Sequence, residues 1–453
     1  MSGDFESDGG VPIPVTDVPE SRPTVTPALC AGPVTLRSWL LAWAVAVGLS
    51  LIFWWPLYNG GGLVGGDIYT YFFPQKAYLA EHLERGELPL WNNRVGHGYP
   101  VVGESQTGLF YPFHLLYGVL GVSAAYTSVQ LLHYVLAFLF TWRYARQLGL
   151  GDVSGLLVGL VYVYGWFPPP IVLEWAILGG TWLPAALWVS ERFVSRPRCL
   201  DLLLLSLILA LQMLAGHFHL AFVTQLVLLA YIPSRLFWAD RGLPNRRASV
   251  NRRLLGSAAA SLVLAFGLAA VQLLPTWELK QSSQREDVVG RKYDPGYGHM
   301  PFAYWSQVVM PWRWYEAGVD RVSQFEAGPA DTNQVEAHLY FGLPTVGLLV
   351  LGLLGWCIGR RSDPRLVLWL VLGSAALLYT PAWHLAVTRH LPGFGFFTGP
   401  GRYGIVTALS AAVLAGVSWQ WLVTRPLLLC RGGLVVLLAT VSFPLLTWDL
   451  WEV

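Results

Sequence analysis

The chain has 453 residues, of which 54% are hydrophobic and only 12% charged, and its formal net charge is +2. Its long apolar runs cannot all be buried in one water-soluble core, so the composition describes an all-α polytopic membrane protein. The near-neutral charge excludes the concentrated basic surface that tracks nucleic acid, and four single cysteines, Cys30, Cys199, Cys357 and Cys430, support neither a disulfide framework nor a zinc site.

Residues 1–33 are rich in Pro, Gly, Ser, Asp and Glu and poor in large apolar groups, which predicts a disordered tail. Met1 to Glu20 has neither the basic start nor the apolar segment of a cleavable signal, so targeting falls to the first span. A span needs roughly 20 mostly apolar residues to cross about 30 Å of hydrocarbon. Residues 34–453 form one transmembrane domain with eleven such segments: 34–57, 120–142, 153–167, 173–193, 199–215, 218–238, 254–274, 338–358, 365–384, 403–423 and 428–447. Most of the 29 Lys and Arg residues fall in the tail and in short turns on the tail's side, among them Arg143, Arg146, Arg192, Arg196, Arg198 and the run from Arg235 to Arg253. By the positive-inside rule that side and the N-terminus are cytoplasmic, and the C-terminus is extracytoplasmic. The loops 59–112, 275–337 and 385–402 then face outward. No internal repeat is visible, which counts against a secondary transporter built from paired halves.

The first two of these loops far exceed the usual connection of about 4–6 residues. The first opens with Gly65-Gly66-Asp67-Ile68-Tyr69-Thr70-Tyr71-Phe72-Phe73-Pro74, one carboxylate among glycines and aromatic rings at the bilayer edge. An ionisable group at that depth loses hydration, so Asp67 is a candidate functional group. The alternative is a helix cap, although the helix predicted from Pro74 to Arg85 starts seven residues later. That helix has Pro at its start, Gly86 after its end, Leu79 and Leu83 one turn apart, and Glu81 four residues before Arg85. It is expected to lie along the membrane surface. Trp91, Tyr99, Phe110 and Tyr111 pattern as an interfacial aromatic belt.

Further candidates follow in chain order. Glu104 either joins Asp67 around a metal or a sugar hydroxyl, or is a solvated loop carboxylate. Glu174 lies near the outer surface with no role assigned. His217 and His219 flank Phe218 at a tight outer turn, where imidazoles can donate to a phosphate near neutral pH. Residues spaced i, i+2 point apart on a helix, so His219 is expected to pack or face solvent. Glu336 and His338 open the eighth span, where Glu336 either supports catalysis or favours the positive helix end. Arg402 follows Gly399-Pro400-Gly401 and is either an anion-binding group or an anchor snorkelling to headgroups.

Several stretches in order are similar to the YfhO-like bacterial membrane proteins, a branch of the GT-C glycosyltransferase superfamily. They are Gly66-Asp67 with the aromatic run to Pro74, then Gly86-Glu87-Leu88-Pro89-Leu90-Trp91-Asn92, Gly96 to Pro100, and Gln106-Thr107-Gly108-Leu109-Phe110-Tyr111-Pro112. The series continues with Leu214-Ala215-Gly216-His217, Leu274-Pro275-Thr276 before Glu278 and Arg285, Glu336 ahead of Tyr340 and Gly342, and Leu391-Pro392-Gly393-Phe394 leading to Pro400 and Arg402. Family members usually carry Arg where this chain has Thr398, and many run on into an extracytoplasmic domain where this chain stops at Val453.

The resemblance implies a GT-C-like bundle of about eleven transmembrane helices whose long outer loops carry interfacial helices. It also implies transfer of a monosaccharide from a polyprenyl-phosphate donor to an extracytoplasmic glycan or cell-wall acceptor, with inversion at the anomeric carbon. Asp67 would be the general base, and a positioned base typically contributes about 10²–10⁴-fold. Arg402, with Arg285 second, or a divalent metal would stabilise the departing phosphate. Glu104, His217 and Glu336 would complete the substrate site. Two alternatives stand beside this reading: a flippase or transporter of lipid-linked sugars, and a noncatalytic relative of the same fold.

Overall fold

The computed structural model describes residues 32–59, 67–166, 174–237, 248–283, 298–309, 336–359, 364–397 and 399–424. Arg285, Thr398, the tail 1–31 and the segment 428–447 lie outside the described residues. The described part is almost wholly helical. Helix α1 (Leu36–Phe53) starts where Thr35 Oγ1 accepts from the Ser38 amide at 3.2 Å. Then come α2 (Phe73–Glu84), α3 (Val122–Gln147), α4 (Asp152–Val161), α5 (Glu174–Gly180) and α6 (Trp182–Ser195). After these run α7 (Cys199–Leu214), α8 (Phe218–Phe237), α9 (Ala248–Gln281), α10 (Leu343–Gly359), α11 (Pro364–Tyr379) and α12 (Gly404–Val423).

Helix α3 is the axis of the first half and packs against α1, α4 and α6, while α12 packs against α4, α10 and α11, and α9 lies along α7. The rings of Phe138, Trp142, Tyr144, Tyr162, Tyr231 and Trp369 are fully buried between these helices. Such rings pack densely, and their polar edges find partners inside the bundle, as where the Trp369 indole donates to the Tyr144 hydroxyl at 2.8 Å.

Among the described residues, five helices are long and apolar enough to cross a membrane: Leu36–Phe53, Val122–Gln147, Phe218–Phe237, Ser249–Gln281 and Pro400–Val423. The apolar stretches Asp152–Gly165, Cys199–Leu214, Leu343–Cys357 and Leu366–Tyr379 are shorter. At 1.5 Å per residue, a 16-residue helix such as α7 covers only about 24 Å. The segment read as 173–193 is divided at Thr181 into α5 and α6, and α4 loosens into a π-helical turn at Tyr162–Trp166. Helix α9 instead overruns its expected end, continuing through Pro275 to Gln281.

The first long loop is folded onto the bundle. Trp91 and Asn92 pair antiparallel with Pro100 and Tyr99, and a turn at Val101–Glu104 packs against α9. Helix α2 does not simply lie on a surface, because Gln75, Lys76, Tyr78, Leu79 and Ala80 are buried. Tyr111 is not an interfacial anchor either. It is 1% exposed, hydrogen-bonded to His133 and to the Trp182 indole, within the core.

Candidate functional site

One end of the bundle gathers four of the residues singled out from sequence: Asp67, His217, Glu336 and Arg402. At the centre is the Arg402 guanidinium, in a 3-10 turn (Pro400–Tyr403) that leads into α12. Its Nε donates to Glu336 Oε2 at 2.9 Å and its Nη2 to Glu336 Oε1 at 2.6 Å, a two-pronged pairing of the strong, charge-assisted kind. Its Nη1 donates to His217 Nε2 at 3.2 Å and to His219 Nδ1 at 3.1 Å. Because an arginine nitrogen can only donate, both imidazoles accept through those atoms, which puts the His217 proton on Nδ1. That Nδ1 is buried and has no partner among the described residues. Four of the five guanidinium hydrogens are thereby used.

The glycines beside Arg402 allow this closeness. The Gly401 amide donates to Gly298 O at 2.7 Å, and a Cβ at Gly401 would come within 2.6 Å of that oxygen and 2.7 Å of Glu336 O. Gly216, with φ +91, does the same for the histidines: a Cβ there would meet Ser105 O at 2.4 Å. The turn between α7 and α8 is thus locked to the first loop, and Ser105 Oγ donates to Gly216 O at 3.1 Å.

Two members of the site had no part assigned to them from sequence: Trp175 was not singled out, and His219 was expected only to pack or face solvent. Trp175, in the first turn of α5, stacks on His217 with ring centroids 4.0 Å apart and planes at 8°, and Arg402 lies 4.6 Å from the same ring. His219 is 3% exposed and points at Arg402. The i, i+2 rule does not apply to it, because His217 precedes α8 in the turn, and the two rings face the same way at 13°.

Asp67 immediately precedes a π-helical turn (Ile68–Phe72) that runs directly into α2, so the helical path begins earlier than Pro74. Its side chain nonetheless caps no amide. No hydrogen bond or ion pair joins its carboxylate to another described residue, and it is exposed. Partial burial, and then the like charge of Glu336, raise its proton affinity above that of an ordinary Asp. Single π-turns of this kind recur at functional sites. Burial, Arg402 and His219 hold His217 well below the usual histidine range, so it is a neutral donor.

Glu104 belongs to a neighbouring network, and it is not a solvated loop carboxylate. It accepts from the Tyr71 hydroxyl and, at 3.1 Å each, from the Thr107 amide and hydroxyl. Beside it Lys76, 1% exposed, donates to Thr107 O at 2.8 Å and pairs with Glu174 at 3.5 Å. Burial lowers the Lys76 ammonium from the usual lysine range, and Glu174 and Glu104 oppose that shift. The pair ties α2 to the start of α5, one residue before Trp175. Its sequence signal was the placement of Lys76 on the same helical face as Leu79 and Leu83.

Among the described residues, no group of three or more His, Cys, Asp or Glu side chains is arranged to hold a metal ion. Glu336, His217 and His219 direct their acceptor atoms at a guanidinium, a geometry that does not suit a divalent cation. No protein-family model matches this sequence, and no curated protein matches it.

Proposed function

We propose that the protein is a GT-C-type glycosyltransferase of the cell membrane that moves a monosaccharide from a polyprenyl-phosphate donor to an acceptor on the outer face, with inversion. The observation that carries this reading is Asp67: an exposed carboxyl of raised proton affinity, beside the Arg402–Glu336 pair and neutral histidines. A stronger carboxylate base accepts the proton of an attacking hydroxyl more readily. The acceptor oxygen bonds to the anomeric carbon, its proton passes to Asp67, and the bond from that carbon to the phosphate oxygen breaks with its electron pair on the phosphate. The departing phosphate lies against the remaining Nη2 hydrogen of Arg402 and the Nδ1 hydrogen of His217, fixed donors in a site that excludes much water. Arg402 is mainly the organiser of this set, holding Glu336 and both imidazoles at once. The resemblance to the YfhO-like branch supports the reaction class and the polyprenyl donor; the sugar and the acceptor glycan are set by chemistry beyond it.

The test is reconstitution of the full chain in vesicles with a radiolabelled polyprenyl-phosphate hexose and an envelope glycan fraction. Label passing from lipid to glycan, and lost in Asp67→Asn, supports transfer. Label crossing the bilayer while still on the lipid, with no glycan product, would replace transfer by transport.

A further inference from the structure

At the end of the bundle opposite Arg402, the first turn of α1 and the last turns of α3 and α6 meet around Arg143. Its guanidinium carbon lies 5.3 Å from the Trp39 ring, 5.8 Å from Trp142 and 5.1 Å from Trp188, and Arg192 covers the same Trp188 ring at 5.4 Å. The charged groups acting on Arg143 are Arg192 and Arg146, both cations. Their carboxylates are already committed: Asp152 to Arg146 at 3.0 Å and Asp201 to Arg192 at 2.7 Å. Among the described residues no hydrogen bond or ion pair reaches Arg143. The donors at this point that are buried without an acceptor include Arg143 Nε and Trp188 Nε1.

Contact with aromatic faces explains why an arginine is tolerated here. It does not explain three clustered cations with one uncompensated charge and idle donors, since buried donors are nearly always satisfied. An anion resolves both. Trp39 is 39% exposed, so the cluster reaches the surface at the first turn of α1, and tryptophans at the ends of apolar helices favour the headgroup level.

We propose that the ends of α1, α3 and α6 form a binding site for the phosphate of an anionic phospholipid. Arg143 and Arg192 hold the phosphate oxygens, Trp188 Nε1 donates a further hydrogen bond, and Trp39 covers the glycerol. The site is independent of the sugar-transfer reading, because it lies at the other end of the bundle and shares no residue with it.

Native mass spectrometry of the full chain released from phosphatidylcholine nanodiscs doped with phosphatidylglycerol tests this. Wild-type protein should carry phosphatidylglycerol beyond its share of the bilayer. Arg143→Gln should lower that enrichment roughly fivefold, the effect of one basic residue near a charged membrane surface. Arg85→Gln, which removes an exposed partner of Glu81, should leave it unchanged. Should Arg143→Gln fail to fold, Trp188→Leu keeps the charge and should still lower retention. Enrichment that survives both Arg143→Gln and Trp188→Leu would overturn the proposal. Displacement of the lipid by equimolar inorganic phosphate would also overturn it, reassigning the pocket to a free anion.

Discussion

Two guanidinium–carboxylate forks, each with a buried carboxylate, sit at opposite ends of this protein with the same geometry and different company. Arg235 reaches Glu191 with Nε to Oε2 at 2.9 Å and Nη2 to Oε1 at 2.6 Å, and Arg402 reaches Glu336 with the same two distances. Around Glu191 the neighbours are phenols and an indole: the Tyr231 hydroxyl donates to it at 2.7 Å, Tyr144 to Tyr231 at 3.0 Å, and Trp369 to Tyr144 at 2.8 Å. None of those groups changes charge near neutral pH. Around Glu336 the neighbours are two imidazoles and the exposed Asp67 carboxyl. A fork therefore does not by itself mark a site. The first joins α6 to α8, whereas the second holds groups that can accept or donate a proton beside solvent.

The difference can be broken at its widest point. Asp67→Asn should lower the transfer rate by about 10²–10⁴-fold, the usual contribution of a positioned base. Glu191→Gln should leave the rate per folded molecule at the wild-type level in the same vesicles. Both forks should appear in stability. Glu191→Ala should cost about 3–5 kcal/mol, because it strands the buried Arg235, and Glu336→Ala should cost less, because Arg402 is partly exposed and keeps both imidazoles. Denaturant unfolding in mild detergent reads both values, and no measurable cost at Glu336 would show that its fork is not structural.

A smaller effect separates the two ends by pH. His338, two residues from Glu336 and 5% exposed, is pushed by burial down to about 4 from an ordinary 6.5. Between those values the unfolded chain takes up a proton that the folded one refuses, so stability falls as pH drops from 6.5 to 4 and changes no further below. The loss approaches roughly 3 kcal/mol, and His338→Asn should abolish it.

The sequence carried the membrane character, the helical content and the extent of most helices, because apolar runs of that length have few other fates. It also carried Asp67, His217, Glu336 and Arg402, each at a loop edge where a polar group is conspicuous among apolar neighbours. Tyr111 was misplaced because a polar atom on an otherwise apolar ring looks interfacial until its partner, His133, comes from a distant segment, and Lys76 was not singled out because its partner, Glu174, is equally distant. Glu104 was left between a solvated carboxylate and a partner of Asp67 around a metal or sugar hydroxyl, because Tyr71 and Thr107 meet it only when the loop folds back. His219 and Trp175 depend on a tight turn whose direction is set by Gly216 and its contact with Ser105, a pairing across more than a hundred residues. Hydropathy alone did not show the irregularities inside the apolar runs, such as the one-residue break at Thr181 and the π-helical turn at Tyr162–Trp166.

The most direct measurement is the transfer rate as a function of pH for wild type and Glu336→Gln. Asp67 must be unprotonated to act, and its ordinary value of 3.8 is raised in the folded protein by burial and by Glu336. The rate should therefore fall on acidification at a higher pH than an unperturbed Asp would give. Removing the Glu336 charge should shift that acidic limb downward. An acidic limb at the same pH in both proteins, or one that persists in Asp67→Asn, would contradict the assignment of Asp67 as the base.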